Sequence, residues 1–143
     1  MGKNSDFCRS AIAAKGLATA PNEAVFWSGI QGSDGAAAEW VAKNGGATLE
    51  TTMKARGISL PQFNASDPAV VAAWRQASLD FAQGASGNVR VLQPGSAMRF
   101  SSVPGQGSVW GQVEWGALTN NPNVQSITSV IHETGEEVLL WKR

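Results

Sequence analysis

Polar and apolar positions alternate from Asn88 to Gln93 (Asn-Val-Arg-Val-Leu-Gln), the two-residue period of a half-buried strand, and Pro94-Gly95 closes the run. Two later segments read the same way. Gln125 to His132 and Val138 to Lys142 are predicted strands, and Glu133-Thr134-Gly135-Glu136 between them suits a hairpin turn. A shorter strand-like run, Ala24 to Trp27, stops at Ser28-Gly29. The helical period is clearest after Asp67, a capping residue followed by Pro68 at the first helical position, and it runs to about Gln83 before Gly84. Val71, Trp74, Ser78 and Phe81 form one stripe of that helix. Ser33 or Asp34 can cap a helix over Gly35 to Lys43, with Ala37, Trp40 and Val41 on one face and Asn44-Gly45-Gly46 at its end. Thr48 can cap another, Leu49 to Arg56, that stops at Gly57. The Ala-rich stretch Cys8 to Ala20 reads as a short helix ending near Pro21. Gly95 to Gly107 is rich in Ser and Gly and reads as flexible, and Ser108 to Leu118 reads as a short helix or turn weakened by three glycines. The expected architecture is one α/β domain over residues 1–143: short helices first, then a small sheet with a helix packed on it.

Composition narrows the function. At 143 residues and 43% apolar content the chain can bury one real core. Eleven basic residues balance eleven acidic ones without a block of either sign, which argues against a nucleic-acid partner. No apolar run approaches the length of a membrane span, so no membrane partner is expected either. The first residues hold no apolar signal-peptide core, and Cys8 has no internal partner for a disulfide. Both features point to work in a reducing compartment. Six Trp beside no Tyr is an unusual aromatic balance.

Most familiar chemistries fail on residue count. One His and one Cys make neither a zinc ligand set nor a Cys-His nucleophile pair, so no metal is expected. No Ser lies in a Gly-x-Ser-x-Gly turn, which leaves His132 a structural residue at a strand end. Neither glycine-rich phosphate-binding pattern is present. What remains is carboxylates and tryptophans. Taken singly they are ordinary: Trp74 on a helix is usually core, Glu114 four residues after Trp110 is usually solvated, and Glu50 suits the first turn of a helix.

Taken in order they are less ordinary. Phe26-Trp27-Ser28, then Thr-Leu-Glu-Thr-Thr from Thr48 to Thr52, then Trp74, Ser78, Phe81 and Ala82, then a Val-x-Val-Leu strand, then Ser-x-Trp-Gly-x-Val-Glu from Ser108 to Glu114 resemble the ADP-ribosyl cyclase family of NAD-consuming enzymes. The resemblance spans about Ala24 to His132. It implies an ADP-ribosyl-cyclase-like fold and a catalytic role for Glu114. It also implies that Trp27 and Trp74 flank the nicotinamide ring and that Glu50 lies near the carboxamide. Ser78 falls near the ribose, and Ser28, Ser108, Val109 and Trp110 fall around the phosphates and the adenine-side wall. The chemistry agrees with the residue types. Breaking the bond from nicotinamide to ribose leaves an oxocarbenium-like centre that one carboxylate stabilises, and indole faces suit a flat cationic pyridinium.

The resemblance therefore implies an NAD or NADP glycohydrolase, with the nucleotide as substrate and no cofactor. The small Val109 tilts the expectation toward hydrolysis. Cyclisation to cyclic ADP-ribose, transfer of ADP-ribose to a protein, or nucleotide or sugar binding without chemistry are the alternatives. The sequence departs from the family at several points, among them Lys54 and Arg56 after Glu50, where some relatives place a second acidic residue. Animal members are secreted and dense in disulfides, Gly29 replaces a basic residue found after Trp-Ser in some relatives, and the chain is about half the usual length. A short, disulfide-free version is similar to the toxin module of an interbacterial effector, which would act in the target cell's cytoplasm and be held in check by a cognate immunity protein.

Overall fold

The computed structural model describes residues 17–28, 30, 33–94 and 113–143. In chain order the elements are β1 (Val25–Trp27), α1 (Ser33–Asn44), α2 (Leu49–Ala55), α3 (Pro68–Gln83), β2 (Gly87–Gln93), α4 (Trp115–Thr119), β3 (Val124–Ile131) and β4 (Glu137–Lys142). The strands form one sheet in the order β1-β2-β3-β4. The first three are parallel and β4 returns antiparallel to β3. The α/β expectation holds, with strand boundaries within one residue of those read from the period.

Side-chain alternation sends the strands' apolar residues to both faces of the sheet. Phe26, Val89, Val91 and Ile127 pack with Leu49 and Met53 of α2, Phe81 and Ala82 of α3, and Leu118 of α4. Val25, Leu92 and Val130 turn the other way, onto Ala37 and Val41 of α1. Phe26 and Phe81 meet at 5.0 Å between ring centroids with planes tilted by 53°, an arrangement that ring quadrupoles favour.

Local chemistry explains the helix ends. The Asp67 carboxylate accepts from the backbone N–H groups of Ala69 and Val70 at 3.0 and 3.5 Å, and Pro68 opens α3 as the sequence predicts. Thr48 and Thr51 cap α2 reciprocally: Thr51 N–H donates to the Thr48 hydroxyl at 3.1 Å and Thr48 N–H to the Thr51 hydroxyl at 2.8 Å. Asn121 closes the far end of α3, its Nδ2 lying 3.0, 3.1 and 2.9 Å from the carbonyl oxygens of Ala82, Gln83 and Ala85. The Ala82 carbonyl also accepts from the Ala85 N–H at 3.2 Å, so the amide adds to the pairing by which this helix end is closed.

Two expectations are corrected. α1 begins at Ser33, so Ser33 and Asp34 lie inside its first turn rather than ahead of it. The helix expected over Cys8 to Ala20 does not reach its end: residues 8–16 lie outside the described residues, and 17–20 are not helical. Their backbone is committed elsewhere, because Thr19 N–H donates to the Gly84 carbonyl at 3.2 Å and Asn22 N–H to that of Ser86 at 3.0 Å. Tertiary pairing there outweighs the helix propensity of alanine. Gly84 permits the approach, since a Cβ at that position would meet the Ala18 Cα at 2.6 Å. The predicted flexible stretch Gly95 to Gly107 lies outside the described residues.

Candidate active site

The three parallel strands end at one edge of the sheet. Trp27 is the last residue of β1, Gln93 the last of β2, and His132 follows β3. Backbone pairing persists to that edge, with Ser28 N–H donating to the Leu92 carbonyl at 3.0 Å and His132 N–H to that of Gln93 at 2.9 Å. In open α/β sheets this carboxyl edge is where ligands bind.

Trp27 and Glu50 meet at this edge. The Trp27 indole N–H donates to Glu50 Oε1 at 3.1 Å, joining β1 to the first turn of α2. Helix α2 is therefore what presents Glu50, with the capping threonines fixing where its first turn begins. Burial raises the Glu50 pKa above the ordinary carboxylate value. The Trp27 hydrogen bond and a backbone N–H work against that rise, while the charge of Asp34 adds to it.

Glu114 is the most perturbed group of the site. It precedes α4 in a wide, π-type turn with Val113, and only 7% of its surface is exposed. Burial, reinforced by the nearby charge of Glu50, pushes its pKa up to about 8. The ordinary reading of Glu114 as a solvated surface side chain is thus overturned. A buried carboxyl whose proton is held more tightly by a neighbouring carboxylate is satisfied either by that proton or by a cation.

Helix α3 carries the next two predicted positions, Trp74 and Ser78. Along its stripe Val71 and Trp74 are half-buried, whereas Ser78 and Phe81 are buried. Trp74 packs against the core on the α3 face of the sheet, and its indole N–H donates to the Pro61 carbonyl at 2.8 Å. It is both a core contact and a partly exposed ring. Ser28 is half-buried beside Trp27. Ser108, Val109 and Trp110 lie outside the described residues.

Gln93 and Ser129 were not anticipated. The buried Ser129 hydroxyl donates to Gln93 Oε1 at 2.7 Å, joining the ends of β2 and β3 by a polar bond within the sheet. A signal for Gln93 was present, because a period of two from Val89 and Val91 places it on the core face. Among the described residues no group of His, Cys, Asp and Glu side chains could hold a metal ion. No helix among them is long and apolar enough to cross a membrane.

No family model and no curated protein matches the sequence. Solved structures do match the fold. The chain is similar to Aplysia cyclase complexed with substrate NGD and product cGDPR, at 24% identity and a TM-score of 0.56, covering 78% of this chain and 49% of that one. It is similar to an ADP-ribosyl cyclase complexed with N1-cIDPR, at 24% identity and a TM-score of 0.58, covering 86% and 54%. It is also similar to porcine CD38 complexed with a covalent intermediate, ribo-F-ribose-5'-phosphate, at 23% identity and a TM-score of 0.56, covering 79% and 54%. The fold is ADP-ribosyl-cyclase-like, and the chain spans about half the length of these structures.

Proposed function

We propose that this chain is an NAD(P) glycohydrolase that cleaves the nicotinamide–ribose bond to give nicotinamide and ADP-ribose. The observation that carries the reading is Glu114, a carboxyl buried beside Glu50 in an ADP-ribosyl-cyclase-like fold. The solved cyclases of that fold are complexed with NGD, cGDPR and N1-cIDPR, and CD38 with a ribose-phosphate intermediate.

The substrate's pyridinium is a cation, so its arrival beside two carboxyls favours loss of the Glu114 proton. Trp27 and Trp74 offer indole faces to the ring, an attraction of about 0.5 to 2 kcal/mol depending on desolvation. The bond between the ribose C1′ and the ring nitrogen then breaks. Nicotinamide leaves as a neutral molecule with the bonding pair, and no general acid is needed. The Glu114 carboxylate stabilises the positive charge that develops on the ribose. Water adds at C1′ and gives up a proton, completing ADP-ribose. The family resemblance assigns Glu50 to the carboxamide, Ser78 to the ribose, and Ser28, Ser108, Val109 and Trp110 to the phosphates and the adenine-side wall.

The setting proposed with this activity is a toxin that drains NAD inside a target bacterium, opposed in the producing cell by an immunity protein. The test of the chemistry is chromatography of NAD incubated with catalytic amounts of protein. Free ADP-ribose and nicotinamide in equal amounts support hydrolysis. A cyclic product, ADP-ribose attached to protein, or NAD bound and recovered intact would each replace it with one of the alternatives.

A further inference from the structure

The connection from α2 to α3 is exposed from Pro61 to Asp67, yet it is pinned along its length. Ile58 N–H donates to the Met53 carbonyl at 2.9 Å, and Ile58 and Leu60 pack against the core. The Pro61 carbonyl accepts from the Trp74 indole at 2.8 Å. Asn64 Oδ1 accepts from the Ser66 N–H at 3.0 Å and the Ser66 hydroxyl at 2.8 Å, and Asp67 N–H donates to the Asn64 carbonyl at 3.1 Å. Phe63 stands between these anchors with 55% of its surface exposed. The other large exposed apolar side chains among the described residues, Val138 and Leu139, lie on β4 at the opposite edge of the sheet from β1. Phe63 stands close to Trp74, because two residues of chain reach at most about 7 Å from the Pro61 carbonyl that Trp74 holds.

Leaving a phenyl ring in water forfeits about 1.5 to 3 kcal/mol of burial, and here the chain on either side of the exposed ring is anchored by hydrogen bonds. The proposed substrate has two flat rings. Its pyridinium is cationic and suits the carboxyl-lined site, whereas its purine is neutral and gains nothing from Glu50 or Glu114. We infer that Phe63 is a stacking platform for the purine base of the dinucleotide, placed outside the carboxyl site by the Trp74–Pro61 hydrogen bond. This inference rests on the proposed NAD chemistry. Stacking on one ring reads no base edge, so the platform accepts guanine as it does adenine.

The experiment compares the wild-type protein with Phe63→Ala and Phe63→Trp. Steady-state kinetics are measured on NAD and on nicotinamide mononucleotide, which lacks the purine, and ADP-ribose binding is measured by calorimetry. Phe63→Ala is expected to raise KM for NAD and weaken ADP-ribose binding by about tenfold, the low end of what one base stack contributes. Turnover of NAD and both constants for the mononucleotide stay at wild-type values, and Phe63→Trp restores the loss. An active wild type whose Phe63→Ala keeps its KM for NAD overturns the platform and leaves the hydrolase standing. An equal loss on the mononucleotide overturns it too, because Phe63 would then act through Trp74. An inactive wild type that binds ADP-ribose in a Phe63-dependent way overturns the hydrolase and leaves the platform.

Discussion

The Trp27 indole nitrogen donates to the Glu50 carboxyl across 3.1 Å, tying the last residue of a strand to the first turn of the next helix but one. Trp27 thus has two tasks in the proposed site, a ring face for the pyridinium and a donor that holds a carboxylate. Phenylalanine separates them. Trp27→Phe keeps a ring and loses the donor, so the Glu50 pKa rises further and its position loosens. KM for NAD should increase by about ten- to a hundredfold, the effect of one hydrogen bond to a charged group, with the pH profile of Glu50-dependent steps moved upward.

The second prediction concerns pH. Glu114 keeps its proton in the free protein up to about pH 8, and the proposed reaction needs its carboxylate. A plot of kcat/KM against pH should rise about tenfold per unit at lower pH and level off near pH 8. A flat profile from pH 6 to 9 would show that Glu114 does not titrate in the reacting form.

Stability should run the other way. Because the folded protein holds the Glu114 proton more tightly than the unfolded chain, the group's contribution is fully present below its ordinary value of 4.5 and is lost as pH rises toward 8. The decline is at most about 1.4 kcal/mol per pH unit across that window. Glutamine cannot ionise. Glu114→Gln should therefore melt higher than wild type at pH 7.5 and equal to it near pH 4.5, as read by thermal unfolding across that range.

Away from the site, Asn121 tests the fold itself. Its side-chain amide reaches three carbonyls at the end of α3, and its Oδ1 accepts from Asn123 N–H at 2.9 Å. Asn121→Ala removes the amide's bonds to the Gln83 and Ala85 carbonyls, while Ala82 keeps its backbone partner, and should cost about 1 to 3 kcal/mol in urea unfolding, with kinetic constants unchanged at temperatures where the variant stays folded.

The sequence showed elements whose signals are local. Asp67-Pro68 and Gly84 mark both ends of α3, and Thr48 marks the start of α2, because capping is a matter of a few neighbouring residues. Trp27, Glu50, Trp74 and Glu114 stood out only by their order, through the family resemblance, and of these the structure joins Trp27 to Glu50 and sets the charge of Glu50 near Glu114. What was not legible depends on distant packing. The burial of Glu114 follows from how α4 seats on α3, residues 17–20 are drawn by Thr19 into pairing with Gly84 at the end of α3, and the Trp74 bond to Pro61 crosses a loop without a period. Gln93 stands between these cases, visible by its parity in the strand but without a sequence signal for its Ser129 partner.

The most direct measurement is turnover of NAD at pH 8 by the wild-type protein and by Glu114→Gln, with nicotinamide and the second product separated by chromatography. The account predicts many turnovers to free ADP-ribose by the wild type. It also predicts a loss of about a thousandfold or more in Glu114→Gln, with the variant's circular dichroism unchanged. Intact NAD after prolonged incubation with folded wild-type protein, or a Glu114→Gln variant as fast as wild type, would contradict it.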